Sequence, residues 1–174
     1  MELWDVYDQC MQKTERTHPR CTPMKDGDYH LIVHVYPINS KGEILIQKRA
    51  ESVQTKPNIW ATTGGSVLAG EDMFSGALRE LEEELSIKAE EKDVRLLGVM
   101  ERPNRFRSVW LVRTDVEIDE LTLQKEEVAD AKWATPEIIR QMMKDGEFWK
   151  YDYMDWLFRK IKEVQEDGWN QKLA

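Results

Sequence analysis

One segment of this chain combines the spacing of a core-facing helix with an unusual density of acidic residues. Between residues 71 and 85, apolar side chains recur at intervals of three and four, at Phe74, Ala77, Leu78, Leu81 and Leu85. Such a stripe packs one side of a helix against a sheet or against other helices. The spacing therefore predicts an amphipathic helix, and the remaining residues of the segment must occupy its other faces.

The acidic residues of this predicted helix meet on a second face. Glu80, Glu83 and Glu84 stand at positions i, i+3 and i+4, so their carboxylates cluster, whereas Glu82 points elsewhere toward solvent. A solvated face explains most charge runs, but carboxylates at these spacings repel one another by about a few tenths of a kcal/mol per pair. Hard divalent cations such as Mg²⁺ and Mn²⁺ bind oxygen ligands of this kind. The cluster therefore favours a metal-binding face.

Predicted strands surround the acidic helix. Residues 31–39 and 43–49 are rich in β-branched or alternating apolar residues and flank a Ser-Lys-Gly turn, which predicts a hairpin. Further strand patterns occupy residues 60–65, 94–101, 107–116 and 128–134. Strands and helices mixed in this order predict the α/β fold class, with a sheet covered by helices.

Two more helices are predicted after the last strand. Thr135 is a favourable cap, Pro136 suits the first helical position, and Gly146 marks the end of the first of these helices. Residues 148–164 carry apolar side chains at helical spacing and predict a core-facing helix. The aromatic residues of that segment, Trp149 among them, are predicted to pack in the core rather than to line a pocket.

Length and charge limit the classes of function. The 174 residues suit a single domain, with an N-terminal arm or hairpin over residues 1–28 and the main domain over residues 29–174. The formal net charge of −8 argues against binding to a nucleic acid polymer, which requires a basic surface. An acidic protein that handles phosphate groups must therefore bring cations to its site.

Targeting signals and cysteine motifs are not expected. No segment approaches the roughly 20 apolar residues that cross a bilayer, so no membrane partner is predicted. The first residues lack the basic and apolar regions of a signal peptide. Cys10 and Cys21 show neither metal-ligand spacing nor a disulfide framework. The sequence therefore predicts a cytoplasmic protein, and a homodimer formed through the N-terminal arm stays open.

The segment around the acidic helix resembles a known motif. Residues 65–87, GSVLAGEDMFSGALRELEEELSI, resemble the Nudix box, whose pattern is G-x5-E-x7-R-E-U-x-E-E-x-G-U with U an aliphatic residue. The matching positions are Gly65, Glu71, Arg79, Glu80, Leu81, Glu83, Glu84 and Ile87. Ser86 stands where the pattern has its last glycine, at the end of the predicted helix. Either a left-handed conformation there costs serine about 1 kcal/mol, or the helix ends in a different way.

The resemblance implies a fold and a ligand set. The fold would be a Nudix-type α/β/α sandwich with a mixed β-sheet, formed by residues 29–174. Glu80, Glu83 and Glu84 would bind Mg²⁺, for which Mn²⁺ can substitute, together with the backbone carbonyl of Gly64.

Three other residues of the box would have structural roles in the same resemblance. Glu71 and Arg79 would form an ion pair that holds the loop–helix–loop unit together. Gly65 would let the backbone pass close to the metal, because it has no side chain. These residues would shape the site without binding the metal.

The resemblance also implies a reaction. Family members hydrolyse a diphosphate linked to another group, by metal-assisted attack of water on phosphorus. A carboxylate must accept the proton of that water. Glu80 and Glu84 of the cluster, and Glu127 or its neighbour Glu126, are the candidate catalytic residues, and the choice among them stays open.

Several cations are candidates for contact with the substrate. Lys48 and Arg49 stand at the end of a predicted strand, and Arg102, Arg105 and Arg107 lie on or beside a predicted turn. Arginine suits bidentate contact with phosphate. We expect Lys48, Arg49 and Arg105 to bind a small phosphorylated substrate, with nucleoside di- or triphosphates and related nucleoside diphosphate compounds as the expected class.

Two other functions compete with hydrolysis. The flanks of the box also resemble isopentenyl diphosphate isomerase, a Nudix relative, but that enzyme needs a cysteine and a histidine where this chain has Gly64 and Ser66. His30 and His34 do not form one metal site, since they stand roughly 13 Å apart on a strand at about 3.3 Å per residue. A non-catalytic regulator that only binds its ligand would be expected to lack box carboxylates, and all of them are present.

Overall fold

The computed structural model describes residues 2 to 169, in which the chain forms nine β-strands and three α-helices. The strands are β1 (Leu3–Tyr7), β2 (Lys13–Pro19), β3 (His30–Ile38), β4 (Ile44–Arg49), β5 (Trp60–Ala61), β6 (Thr63–Ser66), β7 (Val94–Arg102), β8 (Arg105–Arg113) and β9 (Val128–Ala134). The helices are α1 (Met73–Leu85), α2 (Pro136–Asp145) and α3 (Met154–Asp167). None of these three helices has both the length and the apolar character that a membrane span requires.

A mixed sheet of seven strands forms the centre of the described chain. Its order is β5-β4-β3-β8-β7, with β6 paired to β3 and β9 paired to β4. β3 and β8 run parallel from the pair His30–Arg105 to the pair Ile38–Arg113, and the other strand pairs of this sheet are antiparallel. The mixed sheet expected from the sequence is therefore confirmed.

Helices cover both faces of this sheet. Alternate residues of β3 enter different apolar cores, because successive side chains of a strand point to opposite faces. Val33 and Val35 share one core with Leu81 of α1, whereas Tyr36 shares the other with Leu157 of α3. Helix α2 contributes to the second core as well. The protein is therefore an α/β/α sandwich, as expected.

The predicted hairpin of β3 and β4 exists only next to its turn. The two strands pair at Ile38 and Ile44. Beyond that point β3 pairs with β6 and β8, while β4 pairs with β9. Residue periodicity identifies a strand from its own side chains, whereas its partners come from segments far along the chain.

The C-terminal helix begins later than its apolar spacing predicted. α3 starts at Met154 rather than near residue 148. Phe148 instead bridges to Trp60 of β5, and the backbone N–H of Trp149 donates to the Trp60 carbonyl at 2.8 Å. Pairing with β5 therefore replaces the first turns of the predicted helix, and it leaves Trp149 half-buried rather than in the core.

The N-terminal hairpin, β1 and β2, forms a separate two-stranded sheet. Two bonds attach it to the loop that precedes α1. The N–H of Ala69 donates to the Leu3 carbonyl at 2.8 Å, and the N–H of Gly70 donates to the Asp5 carboxylate at 2.8 Å. The hairpin is thus held against the loop that leads into the acidic helix.

Both ends of α1 are capped, by Asp72 at the N-terminus and by Ser86 at the C-terminus. Asp72 caps the N-terminus by accepting from the N–H of Ser75 at 2.7 Å. Ser86 ends the helix with φ 57° and ψ 27°, and its N–H donates to the Glu82 carbonyl at 2.8 Å. The Ser86 hydroxyl also donates to the Thr122 carbonyl at 2.9 Å. The left-handed conformation expected at this position is confirmed, and serine carries a steric cost there that glycine would avoid.

Replacing Ser86 tests the cost of this conformation. We expect the Ser86→Gly variant to have a free energy of unfolding about 1 kcal/mol higher than the Ser86→Ala variant, because both lose the hydroxyl but only alanine keeps the steric cost. Urea unfolding followed by circular dichroism measures the difference. Equal stability of the two variants would show that the helix exit is not strained.

Candidate metal and substrate site

Arg79 of α1 holds the candidate site together. Its Nε donates to Glu71 Oε1 at 2.9 Å, and its Nη2 donates to the Ser66 carbonyl at 2.9 Å. Its Nη1 donates to Glu80 Oε1 and to Glu83 Oε2, each at 2.9 Å. One guanidinium thereby joins β6, the loop before the helix and two carboxylates of the helix.

Glu84 is almost completely buried, with 2% of its surface exposed. Its Oε2 accepts from Gln47 Nε2 at 2.9 Å and from the N–H of Gly64 at 3.1 Å. The Thr63 hydroxyl in turn donates to Gln47 Oε1 at 2.9 Å. Burial, reinforced by the nearby Glu80, raises the pKa of Glu84 to about 8. Neutral donors therefore orient a carboxylate that burial pushes toward its protonated form.

Glu80 is also largely buried. Its side chain is 14% exposed. Burial raises the pKa of Glu80 to about 7, although the guanidinium of Arg79 acts in the opposite direction. Glu80 and Glu84 therefore form a pair of carboxyls whose surroundings supply too little positive charge to keep both ionised near neutral pH.

Two glycines bring the backbone of β6 against this cluster. Gly64 adopts φ +155°, and a Cβ there would stand 2.1 Å from the Val33 carbonyl. A Cβ on Gly65 would stand 2.3 Å from Glu80 Oε1. The carboxylate of Glu80 therefore occupies the space that a side chain at residue 65 would need. This explains why the first position of the box is a glycine.

A cavity of about 580 Å³ lies next to the cluster. Glu80, Glu83 and Gly65 of the box are among the residues that line it. Arg49 of β4 and Glu127, which precedes β9, line the same cavity. Residues expected to bind a metal, to contact substrate and to accept a proton thus meet in one place.

Strand geometry separates the predicted cations. Arg49 and Lys48 are neighbours on β4, so their side chains point to opposite faces of the sheet. Arg49 lines the cavity, on the same side as Gln47, whereas Lys48 lines a different surface pocket. Arg105 begins β8 and does not line the cavity. The structure therefore brings Arg49 to the cluster, whereas Lys48 and Arg105 lie outside this cavity.

The two acidic candidates before β9 are also separated. Glu127 lines the cavity, and its backbone is fixed there by two bonds of 2.8 Å, from the N–H of Ala50 to its carbonyl and from its N–H to the Gln124 carbonyl. Glu126 is exposed, and its carbonyl accepts from the Ser52 hydroxyl at 2.7 Å. Only Glu127 of this pair faces the site.

Several residues of the site were not identified from the sequence. Glu2 and Arg20 line the cavity from the N-terminal hairpin, a segment whose sequence carries no motif that would indicate a site. Gln47 was missed as the partner of Glu84, although a signal existed. Gln47 stands two residues after Leu45 in an apolar strand pattern, so it shares the face of Leu45, and a glutamine buried there needs a hydrogen-bond partner.

The cluster fits a hard divalent cation by its chemistry. Carboxylate oxygens are the ligands that Mg²⁺ and Mn²⁺ favour, and Glu80 and Glu84 lie where burial disfavours an uncompensated negative charge. Within residues 2–169, no three acidic, histidine or cysteine side chains already surround one point as metal ligands. Arg79 Nη1 lies between Glu80 and Glu83, because it donates to one carboxylate oxygen of each. A cation would have to take these oxygens from Arg79.

The positions that an isomerase would need carry no suitable group. Gly64 and Ser66 both line the cavity, and neither has a thiol or an imidazole. Cys10 and Cys21 are exposed thiols of the N-terminal segment, and neither lines the cavity. The acid–base groups of the isomerase are therefore missing from the positions where the resemblance would require them.

Replacing Glu84 by glutamine tests the cost of its buried charge. Its pKa rises from an ordinary value of 4.5 to about 8 on folding, so the unfolded chain releases a proton that the folded chain retains between these pH values. The metal-free protein should therefore lose stability as the pH rises from about 5 to about 8. We expect Glu84→Gln to exceed the wild type by about 1–3 kcal/mol in free energy of unfolding at pH 8, and by little at pH 5.

Urea unfolding in EDTA at the two pH values measures this difference. Glu82→Gln is the control, because Glu82 is exposed on the same helix. A gain in stability that is the same at both pH values would contradict the prediction.

Comparison with known proteins indicates the same family as the sequence of the box does. The family model described as NUDIX domain matches residues 28–157. An uncharacterised Nudix hydrolase of Listeria monocytogenes is 38% identical over 159 residues, which cover 91% of this chain and 94% of the relative. An isopentenyl-diphosphate delta-isomerase of Gibberella zeae is 29% identical over 151 residues, which cover 71% of this chain and 58% of that protein.

Solved structures share the fold. The Deinococcus radiodurans protein DR0079 has a TM-score of 0.74 at 23% identity, over 91% of this chain and 98% of that chain. The NUDIX domain of Shewanella oneidensis NrtR, solved with ADP ribose, has a TM-score of 0.58 at 14% identity, over 85% of this chain and 93% of that chain. The family model matches most of the chain, and the Listeria relative matches nearly all of it. The chain therefore belongs to the Nudix hydrolase family.

Proposed function

We propose that this protein hydrolyses the diphosphate linkage of a nucleoside di- or triphosphate, or of a related nucleoside diphosphate compound, with Mg²⁺ and water. The observation that carries the proposal is the pair of buried carboxyls, Glu80 and Glu84, beside a cavity that also receives Arg49 and Glu127. Acidic ligands, a cation for phosphate and a further carboxylate are the groups that metal-assisted hydrolysis of a diphosphate needs.

The metal would be held by Glu80, Glu83 and Glu84, with the carbonyl of Gly64. A bound ion would supply positive charge to the phosphate oxygens and lower the pKa of a water molecule. Gln47 and the N–H of Gly64 already fix one oxygen of Glu84, so this ligand needs no rearrangement. The other oxygen of Glu84 would be left to bind the ion.

Arg79 would keep the site in shape when its carboxylate partners turn to the ion. Its contacts with Glu80 and Glu83 use Nη1, whereas its contacts with Glu71 and the Ser66 carbonyl use Nε and Nη2. The second set can persist when the first is broken. The loop before α1 would therefore stay in place in both states.

We assign the general base to Glu127. Glu80 and Glu84 serve as ligands in this scheme, so a separate carboxylate must accept the proton of water. Glu127 lines the cavity, and it forms no ion pair with any residue in the described range 2–169, in contrast to Glu80 and Glu83, which are paired with Arg79. Its carboxylate is thereby available to water.

An aromatic surface next to Arg49 favours a nucleoside as part of the substrate. The guanidinium carbon of Arg49 lies 5.6 Å from the centre of the Trp149 ring, and Lys56 Nζ lies 4.9 Å from it. Tyr151 stacks on Trp149 with a centroid distance of 5.7 Å. Lys56 is exposed, so a base can replace its ammonium on the ring. The ADP ribose bound by the NrtR domain supports the same substrate class.

Turnover of a substrate panel tests the proposal. We expect Mg²⁺-dependent cleavage of ADP-ribose-like compounds or of nucleoside di- and triphosphates, and no reaction of isopentenyl diphosphate. Glu84→Gln should lower kcat by roughly 100-fold, because a metal ligand loses its charge. Glu82→Gln, on the exposed side of the same helix, should stay within about twofold of the wild type.

Two outcomes of this panel would contradict the proposal. Rearrangement of isopentenyl diphosphate would assign an isomerase in spite of Gly64 and Ser66. Metal-dependent binding of nucleotides with no turnover of any compound would assign a regulatory binding module.

Exchange of Glu127 tests the assignment of the base. We expect Glu127→Gln to lower kcat by about 10²-fold or more with a small change in KM, because the amide cannot accept the proton. Glu126→Gln is the matched control, since Glu126 is the exposed neighbour and should keep activity. Equal activity of the two variants would return the role to a carboxylate of the cluster.

A further inference from the structure

The N-terminal hairpin contributes a cation to the cavity. Arg20 follows β2 and lines the cavity together with Glu2, which precedes β1. Arg20 Nη1 donates to Glu2 Oε2 at 2.5 Å, and the two side chains are 50% and 48% exposed. An ion pair this exposed contributes little to stability, because water and salt screen it. Its partners can therefore separate when a stronger ligand for the arginine arrives.

The anchoring of the hairpin gives Arg20 a defined place. The N–H of Arg20 donates to the Glu2 carbonyl at 3.0 Å, which continues the pairing of β1 with β2. The neighbouring Leu3 carbonyl accepts from the N–H of Ala69, in the loop that leads into α1. The same loop contains Leu68, which lines the cavity. Arg20 is thus carried by a hairpin that is bonded to the wall of the site.

Three arginines line the cavity within the described residues, and two of them, Arg20 and Arg49, each donate to protein atoms from one nitrogen only. Arg79 donates from each of its three nitrogens to groups of the box. Arg49 uses its Nε for the Thr55 carbonyl at 2.9 Å. For Arg20, Nε and Nη2 donate to no atom within residues 2–169, and only Nη1 is engaged. These two nitrogens form one edge of the guanidinium.

We infer that Arg20 binds a phosphate group of the substrate and that Glu2 holds the arginine at the cavity until the substrate arrives. The inference rests on the proposed hydrolase function. The Nε–Nη2 edge would donate two parallel N–H bonds to phosphate oxygens, which is the geometry in which arginine recognises phosphate. Arg20 precedes residues 28–157, which the family model matches, so this contact is supplied by the N-terminal hairpin and not by the matched domain.

Binding and turnover of Arg20 variants test the inference. Calorimetric titration of the full-length protein in Mg²⁺ with methylenediphosphonate and with α,β-methylene-ADP, whose diphosphate bridges resist hydrolysis, gives Kd. The substrate found in the panel gives kcat and KM. We expect Arg20→Ala to raise Kd and KM roughly tenfold, the effect of one charge-assisted contact, with kcat changed by less than about threefold. Arg20→Lys should recover part of the affinity.

Two further variants serve as controls. Arg16→Ala removes the same charge from β2, where Arg16 pairs with Asp28 at 2.6 Å and does not line the cavity, and it should leave Kd within about twofold. Glu2→Gln should lower Kd, because it frees Arg20 from its carboxylate partner. Thermal unfolding of each variant checks that the hairpin is still folded.

The outcomes separate this inference from the hydrolase proposal. Unchanged Kd in Arg20→Ala, or an equal loss in Arg16→Ala, would overturn the role of Arg20 while leaving hydrolysis in place. Arg20-dependent binding without turnover of any compound would support the contact and contradict the hydrolase. A wild-type protein that binds neither analogue and turns over no compound of the panel would overturn both.

Discussion

The contacts of Arg79 are the constraint on which the site depends. Three carboxylates clustered on one helix repel one another, and two of them are largely buried. A single guanidinium compensates Glu80 and Glu83 and ties the helix to Glu71 and to the carbonyl of Ser66. The helix can therefore pack on the sheet without a metal ion. The same contacts occupy the oxygens of Glu80 and Glu83 that the proposed metal ion would need, so the ion would have to compete with Arg79 for them.

The alternation of side chains along β4 determines which of its residues reach the site. Along β4, alternate residues face α1, and this puts Leu45 in the core, Gln47 on Glu84 and Arg49 in the cavity. A core side chain, the hydrogen bond to Glu84 and a cation at the cavity thus come from successive positions on one face of one strand. By the same rule Lys48, which lies between Gln47 and Arg49, points to the other face of the strand, where it lines a different pocket.

Features that depend on neighbouring residues could be predicted from the sequence, and features that depend on distant segments could not. The apolar stripe and left-handed end of α1, and the cap at Thr135, follow from local spacing and residue type. The partners of β3, the bridge that takes Phe148 out of its predicted helix and the position of Arg20 depend on which remote segments meet. Gly65, Arg79, Glu80 and Glu83 of the box line the cavity because one turn and one helix carry them, whereas Arg105 lies elsewhere.

The two bonds of the Gln47 amide give the inner part of the site a direction. An amide can turn either its oxygen or its nitrogen toward a neighbour, but an ionised Glu84 can only accept, so the Gln47 nitrogen faces Glu84 and its oxygen faces Thr63. The Thr63 hydroxyl can donate or accept, and here it donates to the Gln47 oxygen. The polarity of this short chain therefore runs from β6 to α1, and the carboxylate on which it ends is the group that sets it.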